Sequence, residues 1–277
     1  MSTTVAQALQ DARTAGLDRV DAFVLLGALL QRKRGWLIAH DEARLDTAQA
    51  ARWADWCRRR AAGEPVAYLL GEREFHGLRL AVSPAVLIPR PDTEVLVDWA
   101  LERLAATALP APRVLDLGTG SGAIALAVKH RHPAVRLTAV DASAAALTQA
   151  RANGDQLGLD VDWRLGDWWQ GLAGQRFDLV LSNPPYIAQD DPHLQALAHE
   201  PLSALASGAD GLDDIRCLLA GAPDHLAPGA WLLLEHGWDQ APTVRALLSH
   251  HGFTEVQSRQ DLAGHARCSG GRWPATD

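Results

Sequence analysis

The sequence is poor in the residues from which disulfide frameworks and zinc sites are built. Its 277 residues include 3 cysteines, Cys57, Cys217 and Cys268, and neither a C-x-x-C nor an H-E-x-x-H pattern occurs. An odd number of widely separated thiols is typical of free cysteines in a reducing compartment. We therefore expect neither a disulfide framework nor a metal site.

Long apolar segments and a signal peptide are lacking as well. The longest apolar run, residues 22–30, is far shorter than the roughly 20 residues that a membrane-spanning helix needs. Residues 1–10 lack the charged and then apolar pattern of a signal peptide. These absences favour a soluble cytoplasmic protein without a membrane partner.

Positive charge is also in short supply. The chain has 26 basic and 33 acidic residues, a formal net charge of −7. Proteins that bind nucleic acid through its phosphates normally carry a basic surface. The charge balance therefore argues against direct binding of nucleic acid.

The hydrophobic pattern predicts two different kinds of structure along the chain. Residues 1–73 show helical periodicity, with helices expected to follow Thr3 or Thr4, Asp18 and a point near Thr47. Residues 74–91 alternate between apolar and polar side chains around turn residues, as a β-hairpin does. We expect a small helical domain followed by a hairpin linker.

Residues 92–277 predict an α/β domain. From residue 113 onward, apolar strands alternate with helices, a pattern typical of a parallel sheet covered on both faces. Residues 192–207 form a long stretch rich in loop residues, which suits a lid or substrate loop.

A glycine-rich turn follows the first strand of this domain. The turn reads Gly118-Thr119-Gly120-Ser121-Gly122. Glycines at this place let the backbone approach a nucleotide-like ligand, and the next helix offers free N–H groups. Asp141 ends the second strand, where an acid accepts hydrogen bonds from ribose hydroxyls. The pattern predicts a cofactor that contains adenosine.

The glycines alone leave two cofactors open. Gly118, Gly120 and Ala123 also satisfy the G-x-G-x-x-G/A pattern of NAD-dependent enzymes. Asp167 and Trp168, after the third strand, favour S-adenosylmethionine, because a carboxylate there can meet the adenine amino group and an indole can pack on the ring. A turn residue and a core aromatic are the structural alternatives for these two positions.

The fourth strand ends in a rigid bend, Asn183-Pro184-Pro185-Tyr186. Two prolines fix φ and remove two N–H donors, so neither a strand nor a helix can continue. The bend offers an amide oxygen, a fixed carbonyl and an aromatic ring at the edge where open α/β sheets bind ligands. This combination suits the binding of a planar –NH2 group, and a hydride-transfer enzyme has no evident use for it.

The bend resembles the motif of class I methyltransferases that act on planar amino nitrogens. Three further stretches resemble the HemK/PrmC family of protein-glutamine methyltransferases: residues 68–94, YLLGEREFHGLRLAVSPAVLIPRPDTE; residues 204–212, ALASGADGL; and residues 232–237, LLLEHG. The resemblance covers nearly the whole chain, and residues 91–94 match the branch that modifies release factors. Residues 268–273 depart from the family's usual last strand.

The resemblance implies a class I S-adenosylmethionine-dependent methyltransferase fold, Rossmann-like with a mostly parallel seven-stranded sheet. It implies methyl transfer to the N5 nitrogen of the glutamine in the Gly-Gly-Gln loop of class I peptide-chain release factors, which leaves S-adenosylhomocysteine. The implied catalytic residues are Asn183, Pro184 and Tyr186, and Pro185 joins them in holding the substrate. The implied cofactor residues are Gly118, Thr119, Gly120, Ser121, Gly122, Asp141, Asp167, Trp168 and Asn183.

Three alternatives stay open at this point. The closest sibling family modifies a glutamine of a ribosomal protein, and adenine or guanine methyltransferases of nucleic acids share the four-residue bend. A non-catalytic cofactor-binding scaffold is the third alternative, although it would leave the Asn183 bend unexplained.

Overall fold

Two units make up the chain in the computed structural model, which describes residues 3–275. They are Met1–Glu72 and Arg73–Asp277. The first unit is helical, with α1 Val5–Thr14, α2 Arg19–Leu30, α3 Arg34–Ala39, α4 Thr47–Ala61 and α5 Val66–Leu70. The side chains of Thr4, Asp18 and Asp46 accept hydrogen bonds from backbone N–H groups of the first turns of α1, α2 and α4, which stabilises these helix starts.

The sequence predicted the three long helices of this unit and missed the two short ones. Helices α3 and α5 have 6 and 5 residues, which is too short to show a clear period of 3.6 residues. Gly71 ends α5 with a φ of 74°, a left-handed conformation that glycine adopts without steric cost. Trp53, Trp56 and Cys57 face the core from α4.

The second unit begins at the second residue of a β-hairpin, whose first strand starts at Glu72, and continues as alternating strands and helices. Its strands are β1 Glu72–Phe75, β2 Leu78–Ala81, β3 Arg113–Leu117, β4 Arg136–Asp141, β5 Asp162–Leu165, β6 Phe177–Ser182, β7 Leu226–Glu235, β8 Thr254–Gln260 and β9 Ala266–Arg272. Its helices are α6 Glu94–Ala106, α7 Ala123–Arg131, α8 Ala144–Leu157, α9 Asp213–His225 and α10 Ala241–His250. No helix within residues 3–275 is long and apolar enough to cross a membrane.

Seven of these strands form one sheet, in the order β5-β4-β3-β6-β7-β9-β8. Strands β3 to β7 pair in parallel, and β9 runs antiparallel to both β7 and β8. The mostly parallel seven-stranded sheet expected from the sequence is thus confirmed. The strand order reverses between β3 and β6, and open α/β sheets bind their ligands at such a point.

Apolar side chains cover both faces of the sheet. In β7, Trp231 and Leu233 pack into one core and Leu232 and Leu234 into the other. This follows from the two-residue period of a strand, which sends successive side chains to opposite faces. The near-continuous apolar runs noted in the sequence are therefore strands buried on both sides.

The C-terminal segment, whose conformation the sequence left open, is strand β9. A Cβ on Gly270 would lie 2.5 Å from Cδ2 of Leu233 and 3.0 Å from the ring of Trp99. Only glycine lets the strand lie this close to its neighbours. Strand β7 begins at Leu226 and runs through Pro228 and Gly229 to Glu235.

Asn153 joins the hairpin to the glycine-rich turn. Its Oδ1 accepts a hydrogen bond from the N–H of Ala81 at 2.8 Å, and its Nδ2 donates to the carbonyls of Ala81 at 3.0 Å and Ser121 at 2.9 Å. The side chain is 1% exposed. This one amide therefore connects α8, β2 and the turn that follows β3.

We expect Asn153→Ala to lower the free energy of unfolding by about 2–4 kcal/mol, because it leaves three backbone groups without their hydrogen bonds. Urea unfolding followed by circular dichroism measures this loss. Gln156→Ala, an exposed site on the same helix, is the matched control and should change stability by less than about 0.5 kcal/mol. Equal stability of the two variants would contradict the connecting role of Asn153.

Candidate active site

The glycine-rich turn lies at the carboxyl end of β3. The N–H groups of Gly118 and Thr119 both donate to the carbonyl of Val140, at 2.9 and 3.0 Å. Gly118 has a φ of 72°, and a Cβ there would lie 3.3 Å from the indole ring of Trp168. Glycine is required at this position both for its backbone conformation and for the close approach of the tryptophan.

Asp141 lies beside the turn, at the end of β4. Its Oδ2 accepts a hydrogen bond from the N–H of Gly120 at 2.8 Å, and its Oδ1 accepts one from the N–H of Ser143 at 2.8 Å. Burial raises the pKa of this carboxyl, and the two backbone N–H groups oppose the rise. Each oxygen keeps a second lone pair, so the carboxylate can also accept hydrogen bonds from ligand hydroxyls.

A cavity of about 310 Å³ opens beside these groups. Most of the predicted site residues line it: Gly118, Thr119, Gly120, Ser121, Asp141, Asp167, Trp168, Asn183 and Pro185. Trp168 has a φ of 47°, and its indole N–H donates to Asp214 at 3.2 Å. Within the described chain, Gly122, Pro184 and Tyr186 are the predicted residues outside the set that lines the cavity.

The Asn183 bend borders the same cavity from the end of β6. The hydroxyl of Ser182 donates to the carbonyl of Leu117 at 2.7 Å and so joins the ends of β6 and β3. The Nδ2 of Asn183 donates to the Oγ1 of Thr93 at 3.3 Å. The Oδ1 of Asn183 is buried and has no hydrogen-bond partner among residues 3–275. It is therefore a free acceptor in a site that can hold a ligand.

Tyr186 is fixed through its backbone. Its carbonyl accepts a hydrogen bond from Nε2 of Gln240 at 3.1 Å, and its N–H donates to the carbonyl of Leu205 at 3.2 Å. Burial, with a contribution from the charge of Glu235, raises the pKa of the phenol above its ordinary value. The phenol is therefore neutral at physiological pH.

The predicted loop at residues 192–207 contacts the segment that follows the hairpin. The carboxylate of Glu200 accepts a hydrogen bond from the N–H of Ile88 at 3.0 Å and pairs with the guanidinium of Arg90. Pro201, like Arg90, lines the cavity. Glu94 instead accepts a hydrogen bond from the N–H of His76 at 3.0 Å. The loop and the segment thus enclose one side of the cavity, whereas Glu94 supports the hairpin.

A buried acid that the sequence pattern did not predict lies beneath the glycine-rich turn. Asp116, on β3, is 0% exposed and accepts hydrogen bonds from Oγ1 of Thr119 at 2.6 Å and from the N–H of Ala125 at 3.2 Å. Its Oδ1 has no hydrogen-bond partner in the described part of the chain, and burial raises its pKa to about 7. The available signal was an acid inside an otherwise apolar strand.

These residues fit an adenosine-containing ligand on one side of the cavity and a planar amide on the other. The carboxylate of Asp141 suits ribose hydroxyls, and the ring of Trp168 suits a flat base. The free Oδ1 of Asn183 suits an –NH2 donor. A site of this form can hold a methyl donor next to an amide nitrogen.

Comparison with known proteins also points to a methyltransferase. Residues 93–209 match the methyltransferase small domain, and residues 3–71 match the PrmC N-terminal domain. A Bordetella pertussis protein named release factor glutamine methyltransferase is 52% identical over 259 residues, which cover 92% of this chain and 95% of that protein. A Xylella fastidiosa protein of the same name is 50% identical over 270 residues, 96% of this chain and 98% of that protein.

A solved structure shows the same fold. The crystal structure of a methyltransferase from Pyrococcus furiosus superposes with a TM-score of 0.54 at 19% sequence identity, over 72% of this chain and 90% of that one. The class I methyltransferase fold expected from the sequence is thereby confirmed.

The buried Asp116 should make stability depend on pH. A folded-state pKa of about 7 against an ordinary value of 3.8 means that the folded protein holds a proton that the unfolded chain releases. This contribution to stability is complete below pH 3.8 and is lost as the pH rises to 7, by about 1.4 kcal/mol per unit. Asp116→Asn should therefore lose less stability than the wild type between pH 5 and 7.5 in urea unfolding. The exposed variant Asp160→Asn should follow the wild type, and parallel curves for Asp116→Asn would contradict the shift.

Proposed function

The chain belongs to the family of release factor glutamine methyltransferases, and we propose that it transfers a methyl group from S-adenosylmethionine to a release factor glutamine. The acceptor is the N5 nitrogen in the Gly-Gly-Gln loop of class I peptide-chain release factors, so the reaction acts on translation termination. The names of the Bordetella and Xylella relatives support the substrate. The structural observation that carries the proposal is the buried Oδ1 of Asn183, which has no partner within residues 3–275.

The acceptor nitrogen is a poor nucleophile because its lone pair is delocalised into the amide carbonyl. In the proposed arrangement the Oδ1 of Asn183 accepts a hydrogen bond from one N–H group of the substrate amide. The carbonyl of Pro184, the next residue, accepts a hydrogen bond from the other. The two acceptors hold the nitrogen in one orientation, and positioning of this kind can lower the barrier by several kcal/mol. They also stabilise the positive charge that develops on the nitrogen during transfer.

The remaining residues of the bend fix these two acceptors. Pro184 is buried, and the ring constraint of two successive prolines holds the backbone rigid. Tyr186 is anchored through the side chain of Gln240, and we assign to its ring the packing against the amide plane of the substrate. Pro185 lines the cavity beside Asn183.

S-adenosylmethionine supplies a methyl group already activated on a sulfonium. Asp141 is the proposed partner of the ribose hydroxyls. Asp167 and Trp168 are the proposed partners of the adenine, and the turn from Gly118 to Gly122 leaves room for the rest of the ligand. The distribution of these residues along one cavity supports the assignment.

We assign the docking of the protein substrate to the helical unit. Three large apolar side chains on it are exposed, Val20 at 60%, Val24 at 44% and Ile38 at 58%. Val20 and Val24 lie one turn apart on α2, so they share one face of the helix. An exposed apolar face of this kind suits contact with a protein rather than with a small molecule.

The proposal is tested with S-adenosylmethionine labelled in its methyl group. We expect label to pass to a purified class I release factor with its Gly-Gly-Gln sequence and not to a Gly-Gly-Ala version. Label in neither protein, with cofactor binding intact by calorimetry, would contradict the proposal. Ribosomal protein and nucleic acid would then be the acceptors to assay.

Asn183→Ala should separate catalysis from cofactor binding. We expect kcat to fall at least about 100-fold, because an aligned acceptor in the transition state is lost. The Kd for S-adenosylmethionine should stay within about tenfold, or ~1.4 kcal/mol. Gln189→Ala, an exposed site on the same segment, is the control and should keep wild-type turnover. Wild-type turnover in Asn183→Ala would refute the role of this residue.

A further inference from the structure

A second buried acid, Glu235, lies behind the Asn183 bend and has no part in the mechanism given above. It ends β7, the strand that pairs in parallel with β6. Ser182 of β6 pairs with Leu234 of β7. The residues that come next, Asn183 and Glu235, are therefore neighbours at the carboxyl ends of the two strands. Glu235 is 1% exposed, and its Oε2 has no hydrogen-bond partner among the described residues.

Thr93 connects this acid to Asn183. The threonine is 4% exposed, and its Oγ1 accepts the hydrogen bond from Nδ2 of Asn183 at 3.3 Å. Burial raises the pKa of Glu235, and hydrogen bonds from the side chains of Thr93 and Asn183 to its carboxylate oppose that rise. A hydroxyl has a single proton, and an ionised carboxylate can only accept. The threonine therefore donates to Glu235 and accepts from Asn183.

The direction of these hydrogen bonds determines which end of the Asn183 amide is free. An asparagine amide has nearly the same shape in its two flipped orientations, and its hydrogen-bond partners decide between them. With Nδ2 held by Thr93, the Oδ1 is the free atom. In the flipped orientation Nδ2 would be free instead, and two –NH2 groups cannot hydrogen-bond to each other through their protons.

We propose that Thr93 and Glu235 are positioning residues that hold the Asn183 amide with its oxygen toward the substrate. The inference rests on the proposed methyl transfer for its catalytic consequence, and on the hydrogen bonds alone for the orientation. The ionised Glu235 ends this series of hydrogen bonds, and because it can only accept, the bonds can run in one direction only, from Asn183 through Thr93 to Glu235. A protonated Glu235 could donate to Thr93, which could then donate to Asn183 and stabilise the flipped amide.

The surroundings of Glu235 place its ionisation near neutral pH. Burial raises its pKa to about 7, Asp92 adds to the rise, and Arg267 opposes it. The phenol of Tyr186 and the thiol of Cys268 also face its charge. Since the carboxylate is the form that orients Asn183, kcat should rise with pH through a single ionisation near 7 and level off above it.

The sequence offers a direct test of the orientation that needs no substrate. Asn153 and Asn183 are the 2 asparagines of the chain, so selective ¹⁵N labelling of asparagine side chains gives two –NH2 signals by NMR. We expect the Asn183 signal to titrate near pH 7 in the wild type. Glu235→Gln should abolish that titration, and Thr93→Val should shift the signal. The Asn153 signal is the internal control and should stay unchanged.

Turnover measured on the same variants adds the catalytic consequence. Thr93→Val, which keeps the shape and removes the hydroxyl, should lower kcat about 10- to 100-fold with the Kd for S-adenosylmethionine within about threefold. Thr93→Ser keeps the hydroxyl and should restore most of the rate. Glu235→Gln should lower kcat similarly and remove its dependence on pH between 6 and 8.

The outcomes distinguish this inference from the proposed function. An Asn183 signal that neither titrates nor responds to either variant would overturn the inference, whatever the wild type methylates. Wild-type turnover in Thr93→Val would overturn it as well. Absence of label transfer by the wild type would instead contradict the proposed function, and the NMR titration would still decide the orientation of the amide.

Discussion

The site depends on the reversal of strand order between β3 and β6. The two strands are adjacent and parallel, and the hydroxyl of Ser182 fixes their carboxyl ends through the carbonyl of Leu117, 2.7 Å away. The glycine-rich turn leaves β3 toward one side, and the Asn183 bend leaves β6 toward the other. The cavity between them is thus a consequence of chain topology, and the side chains only determine what it binds.

The parts of the fold and site that the sequence predicted are those encoded by local backbone chemistry. Glycines between Gly118 and Gly122, the prolines after Asn183 and the acid at Asp141 each constrain the chain within a few residues. Buried parallel strands are similarly local, because an apolar run between turn residues identifies them. These features made the sheet, its approximate strand boundaries and the two walls of the cavity predictable.

The features of the fold and site that the sequence did not predict depend on contacts between residues far apart in the chain. Glu235 lies near Asn183 because of the register of β6 and β7. Thr93, which directly precedes α6, meets Asn183 across 90 positions of sequence, and Glu200 reaches Ile88 across 112. Strand β9 has two glycines and weak apolar character, so its place between β7 and β8 follows from packing against Leu233 and Trp99. Short helices such as α3 have too few residues to show a period.

The number of protons that each group carries explains why an ionised acid is needed behind the bend. An amide has one donor end and one acceptor end, and a hydroxyl both donates and accepts, so a chain of such groups can run in either direction. A group that can only accept, such as an ionised carboxylate, fixes the direction that leaves the Oδ1 of Asn183 free. A glutamine at position 235 would cost less to bury but would allow both directions. Burial of the carboxylate raises the pKa of Glu235. This unfavourable burial is the free-energy cost of a defined orientation of the Asn183 amide.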